Sequence, residues 1–477
     1  MSDIDDLFEN LGFGKMQYII SFCCFTLQLW ITNEQLGFGV VVAGATCELH
    51  IDDERLAWLM AGNFAAQMIS CYVWGELSDA YGRRKIILSA ATTANCLSIL
   101  SACMPEYWSF LAVRTMAGLF ISGAVVCVMT YLGEFTKITL RPTVLNFMSY
   151  AIGISLIYVP SLAGGLLPLE IEPRPWRILL LSNQLPGIIG LTMLIFLPES
   201  PKYYLSVSEQ EKALKVMERV CRMNKGKDVT LVSMGVSSLS QLRMRNKADN
   251  QRRWHDIKVL FARHGKIMLS FLFVVFSLSG LAFSLPFWML RIRVLTAHEK
   301  EPQTMCDLLD GKSKEGGNRM VHKCHLDFDE MLDPIIHGCV VLSLFIVTSF
   351  LLIFLNRRMV IFVYIFIPIL GSFALNFSKH PTLILISFFA LMDPPMCSIR
   401  LCLSLLIDLV PTHLRGKAIA LTVMMGRCGV LSASLYVGYT LRYNCYVTFN
   451  LFIVMLIICG ILVYFLPEEY RMRSIAQ

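Results

Sequence analysis

Residues 267–290 read IMLSFLFVVFSLSGLAFSLPFWML, 24 consecutive positions without a charged side chain. The apolar residues do not alternate, as a strand of a membrane barrel requires. They also leave no polar face, as the surface helix of a soluble domain requires. Coiled as an α-helix at 1.5 Å per residue, the stretch is about 36 Å long. The hydrocarbon of a bilayer is about 30 Å thick, so the stretch reads as a membrane-spanning helix.

Stretches of the same kind recur on both sides of it, at 16–43, 56–75, 86–104, 108–133, 142–168, 178–197, 334–355, 359–378, 382–406, 418–440 and 445–466. With 267–290 they make twelve, numbered here as spans 1 to 12 in chain order. Composition agrees: 55% of the 477 residues are hydrophobic and 16% are charged, against about 25% charged in an average soluble domain. The charges are also clustered, with 22 in residues 198–266 and 16 in residues 291–333. A soluble globular domain, a disordered chain and a nucleic-acid-binding module are excluded. The fold class is an all-α membrane protein.

Orientation follows from Lys and Arg in the short loops. One set of loops holds Lys15, Arg83, Arg84, Lys85, Lys137, Arg141, Arg357, Arg358, Arg415, Lys417, Arg471 and Arg473; the other holds Arg55, Arg174, Arg177, Lys379 and Arg442. This asymmetry predicts that both termini are cytoplasmic, and it accounts for most of the net charge of +7. The first residues, with Asp3, Asp5, Asp6 and Glu9, lack the basic start of a cleaved signal peptide.

Landmarks repeat along the chain. Arg83–Arg84 after span 2 and Arg357–Arg358 after span 8 are 274 residues apart. Glu134 and Arg141 recur as Asp408 and Arg415 at the same offset, and Pro198–Glu199 recurs as Pro467–Glu468 at an offset of 269. Two homologous six-helix halves follow, an arrangement that alternating-access carriers share. The expected layout is a cytoplasmic N-terminus (1–15), a first half (16–197), a cytoplasmic connector (198–266), a second half (267–466) with an outer loop at 291–333, and a cytoplasmic tail (467–477). Within the connector, Ala213, Leu214, Val216, Met217 and Val220 recur at helical spacing over 209–223 and predict an amphipathic surface helix.

Gly75-Glu-Leu-Ser-Asp79-Ala-Tyr-Gly82-Arg83-Arg84-Lys85 resembles the loop signature of the major facilitator superfamily, and Arg114-x-x-x-Gly118 resembles its span-4 motif. Pro198-Glu-Ser-Pro201-Lys202 and Asp408-Leu-Val-Pro411-Thr-His-Leu-Arg415-Gly416 are similar to the sugar and organic-ion transporter branch. Gly12-Phe-Gly14-Lys15-Met-Gln17, Tyr131-Leu-Gly-Glu134-Phe135 and Pro175-Trp176-Arg177 look most like the synaptic vesicle glycoprotein 2 relatives. The resemblance implies that spans 1, 4, 7 and 10 line a central cavity. Span 1 of that family often carries an Asp three residues before a Glu, whereas Ile31-Thr-Asn-Glu34 keeps the Glu alone.

Two groups of residues are candidates for function. On the cytoplasmic side, Gly75 and Gly82 are expected to give the turn after span 2 its backbone freedom. Asp79, Arg83 and Arg84 are expected to pair with Glu134 and Arg141, and Arg357, Arg358, Asp408 and Arg415 to form a parallel network. The reading is a cytoplasmic gate; the alternative is a plain positive-inside anchor. Within the spans, each ionisable group costs at least about 2.5 kcal/mol on insertion scales. Five stand out: Glu34, Arg114, Asp393, Arg400 and Arg427. By helical rise Glu34 and Arg114 lie roughly 15 and 10 Å from the outer face, close enough in depth to pair. Phe287 and Trp288 offer an aromatic wall to a substrate cation, or packing.

Cys306 and Cys324 share the outer loop and are the expected disulfide, with Cys47 in the first outer loop. His322 and His325 flank Cys324, but zinc-type spacing is absent, and no metal or cofactor is implied. No catalytic constellation appears in the loops. The leading expectation is a secondary carrier of a small organic or charged solute, with a coupled proton or cation, in a vesicle or plasma membrane. The rival is a transporter-shaped membrane protein with a binding role.

Overall fold

The apolar stretches are helices in the computed structural model, which describes residues 2–137, 139–169, 174–226, 229–232, 238–240, 250–296, 304, 306, 328–410, 415–443 and 445–466. Among the described residues, ten helices are long and apolar enough to cross a membrane. They are spans 2, 4, 5, 6 and 7 to 12: Asp53–Tyr81, Tyr107–Phe135, Thr143–Leu166, Pro175–Phe196, Lys258–Met289, Phe328–Phe354, Arg357–Phe377, Pro381–Leu409, Arg415–Tyr443 and Cys445–Tyr464. Two more complete the twelve. Span 3 is Arg83–Ser101, whose Ser, Thr and Asn residues dilute its hydropathy. Span 1 is divided into Lys15–Thr32, a π-helical turn Asn33–Gly37, and Phe38–Ala45. The observed helices mostly run several residues past the sequence-read limits, because the ends carry polar residues that hydropathy discounts.

The two halves pack alike. Spans 1 and 5 touch as 7 and 11 do, spans 3 and 4 as 9 and 10 do, and spans 3 and 6 as 9 and 12 do. The halves meet along spans 5 and 8 and along spans 2 and 11. At the first seam two glycines let the backbones close up. A Cβ on Gly338 would stand 2.6 Å from the Leu156 carbonyl carbon, and one on Gly153 would stand 2.8 Å from Leu342 Cα. Close approach through small residues replaces hydrophobic burial as the cohesive device where lipid is the solvent. The outer surface is apolar, with Phe196, Ile353, Phe354 and Phe377 exposed, as a lipid-facing belt requires.

On the face that carries the N-terminus, a short helix Ile4–Leu11 and the connector helix Gln210–Lys225 cover the first half. Their buried residues, Ile4, Leu7, Phe8 and Leu11 with Ala213, Val216, Met217 and Val220, join one apolar cluster with spans 1, 3, 4 and 6. Ser2–Asp3 pairs in parallel with Leu239–Ser240, a two-residue ladder. The connector therefore grips the underside of the first half rather than hanging free of it.

Candidate functional site

The π-helical turn is where span 1 turns polar. Its widened hydrogen bonding is a form that recurs at functional sites, and it aims successive side chains at different neighbours. Asn33 Nδ2 donates to the Asn183 carbonyl at 3.3 Å, and Ser155 Oγ donates to Asn33 Oδ1 at 2.6 Å. Glu34 is 1% exposed and faces its own half. Its Oε2 lies 2.8 Å from Arg114 Nη1 and accepts from Ser98 Oγ at 2.9 Å. Its Oε1 accepts from Gln184 Nε2 at 2.5 Å, and Trp30 Nε1 fixes that amide by donating to Gln184 Oε1 at 2.8 Å. The Arg114 guanidinium lies 3.9 Å over the Phe38 ring. Spans 1, 3, 4 and 6 thus converge on one buried carboxylate.

The next residue, Gln35, faces the other half. Its carboxamide lies 2.8 Å from that of Gln67, which donates to Asn63 Oδ1 at 3.3 Å. With its amide turned so that the oxygen meets the guanidinium, Gln35 accepts from Arg427 Nη2 and Nη1 at 3.2 and 3.3 Å. Arg427 of span 11 also lies 5.7 Å over the Phe64 ring. Phe287 packs against Phe64 with the rings tilted by 55°, 6.4 Å between centroids, and closes over Gly39. Trp288 beside it is buried. Phe287 and Trp288 are both packed into the interior, and the chain's own guanidinium occupies the neighbouring Phe64 face.

Asp393 has a partner that sequence reasoning missed. His337 of span 8 places Nε2 2.8 Å from Asp393 Oδ1; both are buried, and the imidazole stacks on Phe389 at 5.6 Å. Arg400, two turns along span 10, has no hydrogen bond or ion pair among the described residues.

At the N-terminal face Arg83 bridges Asp79 (2.8 Å) and Glu134 (3.0 Å) and donates to the Ser78 carbonyl. Three expectations change. Gly75 lies inside the span 2 helix with nothing within 4 Å of a Cβ, so the turn rests on Gly82 alone, at φ 105°. Arg84 joins neither Glu134 nor Arg141. Its guanidinium donates to the carbonyls of Leu194 and Ile195 at the end of span 6, at 3.0 and 2.6 Å. Arg141 turns to Asp5 at 3.8 Å, where Lys202 also pairs. Glu199 was read as a landmark, yet it accepts from the backbone N–H groups of Arg84, Lys85 and Ser200, capping span 3. In the second half Arg357 donates to Ser404 Oγ at 2.8 Å and Arg358 to the Tyr464 carbonyl. The side chains of Asp408 and Arg415 lie outside the described residues.

The expected Cys306–Cys324 bridge is corrected: Cys306 is joined to Cys445, with Cα atoms 5.3 Å apart. Cys445 opens span 12 at the face opposite the N-terminus. The loop after span 7 crosses to it, and Thr304 Oγ1 meets the Tyr446 hydroxyl at 3.1 Å. Cys47 is also disulfide-bonded, and Cys324 lies outside the described residues. On this face Glu48 Oε1 pairs with Arg177 Nη2 at 2.6 Å and Oε2 accepts from Trp176 Nε1 at 2.7 Å. Partial burial pushes the Glu48 carboxyl up, but Trp176, Arg177 and Arg174 outweigh it and hold it below its usual 4.5.

Mouse SVOPL is 28% identical over 227 residues, 46% of this chain and 44% of that protein. The synaptic vesicle 2-related protein of Xenopus laevis is 28% identical over 223 residues, 46% of this chain and 39% of its own. The chain thus spans less than half the length of these curated relatives. Among solved structures, a partially occluded inward-open conformation of the xylose transporter XylE from E. coli superposes with a TM-score of 0.68 at 15% identity. The superposition covers 95% of this chain and all of that one, and it shows a shared fold. The family profile of the Major Facilitator Superfamily matches residues 18–297, more than half of the chain. With its twelve spans in two like halves, this multi-pass membrane protein belongs to the Major Facilitator Superfamily.

Proposed function

We propose that the chain is a secondary carrier that moves a small organic or charged solute by rocking its two halves about a central site. One observation carries the reading. Two successive residues of one π-helical turn hold a buried pair in their own half, Glu34 with Arg114, and a guanidinium of the other half, Gln35 with Arg427. A change in the charge of Glu34 is then transmitted to the seam between halves through a single turn of backbone. Glu34 is the coupling carboxylate and binds the driving proton. Asp79, Arg83 and Glu134 are the first half's share of the gate, and Arg357 and Arg358 the second half's.

Orientation is supported by chemistry as well as by loop charge. Disulfides persist in oxidising compartments, and Cys306–Cys445 stands on the face opposite the N-terminus. With an even number of spans, this supports a cytoplasmic position for both termini. Similarity to a synaptic vesicle 2-related protein favours a vesicle membrane.

The test is uptake of a panel of labelled solutes into proteoliposomes, with and without an inward proton gradient. The expected result is gradient-driven accumulation of one solute, abolished in Glu34→Gln, with exchange of internal for external solute retained. Saturable binding with no uptake would assign the chain the binding role instead.

A further inference from the structure

The charges inside the spans do not balance. Glu34 is engaged by Arg114, and Asp393 by His337. Arg400 and Arg427 have no carboxylate partner among the described residues, and Arg427 is the one that the geometry joins to the first half, through Gln35 and the Phe64 ring. Insertion of an unbalanced guanidinium is costly, and such groups face ion or substrate pathways. Two aromatic faces beside these groups already hold a cation of the chain itself: Phe38 under Arg114 at 3.9 Å and Phe64 under Arg427 at 5.7 Å. Gln35 meets Arg427, and Gln67 and Asn63 continue from it as a chain of carboxamides, the three exposed to 6%, 1% and 3%. These groups hydrogen-bond a polar solute without cancelling its charge.

Resting on the carrier reading, we propose that the solute is an anion whose oxyanion group, carboxylate or phosphate, is taken by Arg427 while Gln35, Asn63 and Gln67 hold its remaining polar atoms. A guanidinium presents a planar fork that matches either oxyanion. The cation belongs to the second half and the carboxamides to the first. A bound anion therefore touches both halves, and its affinity differs between conformations that bring them together and conformations that part them. That difference is what a ligand needs to shift such an equilibrium.

Cys71 of span 2, half-buried and within electrostatic reach of Arg427, reports the field without any knowledge of the solute. In protein whose exposed thiols Cys96, Cys103 and Cys339 and half-buried Cys428 are replaced by Ser, modification of Cys71 is timed with two methanethiosulfonates of similar size. One is an anionic ethylsulfonate and the other a cationic trimethylammonium. The expected result is that the anion reacts about tenfold faster or more, and that Arg427→Gln removes most of the difference. Equal rates, a faster cation, or modification by neither reagent overturns the proposal, since the cluster is then neutral, negative or sealed.

Proteoliposome uptake of labelled benzoate, inorganic phosphate, glucose and choline separates the two readings. Benzoate or phosphate uptake that is lost in Arg427→Gln supports both and names the oxyanion. Glucose or choline uptake unaffected by Arg427→Gln overturns the anion and keeps the carrier. An anion-selective Cys71 with no uptake of any probe supports the anion site and counts against the carrier.

Discussion

Glu34 is held by Arg114, Ser98 and Gln184 from three other spans, so neutralising it leaves a buried guanidinium behind. Removing one member of a buried pair typically costs about 3–5 kcal/mol. Glu34→Gln is expected to lower stability in detergent by that order, and a second change, Arg114→Leu, to restore part of it. Thermal unfolding of the single and double variants decides; full stability in Glu34→Gln would show that the pair carries no net weight. Glu48 answers to pH instead. Its folded carboxyl titrates below the usual 4.5, so its contribution is complete above that value and fades as pH falls through the lower, folded one. Wild type should exceed Glu48→Gln in melting temperature at pH 6, and the gap should narrow as pH falls below 4.5. Glu34 and Arg114 were legible in the sequence because a formal charge in an apolar run is conspicuous, and helical rise put them at one depth. His337 was not, because an imidazole in span 8 adds no formal charge at neutrality. Gln35, Gln67 and Gln184 were invisible for the same reason: a carboxamide matters only where folding places it.

At the scale of elements, the seam between spans 5 and 8 is made by glycines. Gly338→Val adds side-chain atoms where a Cβ alone would stand 2.6 Å from backbone, and overpacking of this kind costs about 1–3 kcal/mol. Gly165→Val, on span 5 with open space around it, is the control and should fold normally. Melting temperatures of the two variants check the contrast, and equal losses would remove the seam as the cause. The twelve spans could be read from hydropathy, but the π-helical turn could not. Asn33–Gly37 differs from its neighbours by one hydrogen-bond register, which no periodicity in Asn-Glu-Gln-Leu-Gly announces. Gly82 takes φ 105° between spans 2 and 3, whereas Gly75 lies inside a helix that runs six residues past the end read from hydropathy.

Over the whole molecule, the repeat seen as an offset of 274 residues returns as a repeat of contacts. Arg83 ties the start of span 3 to span 4, and Arg357 ties span 9 to span 10. Arg84 grips the last carbonyls of span 6, and Arg358 grips the last carbonyl of span 12. Each grip closes one half on itself. Arg84→Ala and Arg358→Ala should therefore destabilise additively, the double variant matching the sum to about 0.5 kcal/mol in denaturant unfolding; a larger coupling would mean that the halves are not separate bodies. The oxidised link at the opposite face escaped the sequence because pairing by nearness along the chain misleads once a loop crosses a bundle. Its position also sets a clock. Cys445 leaves the ribosome 139 residues after Cys306, a delay of roughly 7–28 s at about 5–20 residues per second. Throughout that interval the Cys306 thiol is displayed without its mate, while Cys47, made earlier, competes for it. Slower elongation lengthens the exposure and faster elongation shortens it, so the yield of correctly bridged protein is governed by the pace of synthesis as well as by the fold.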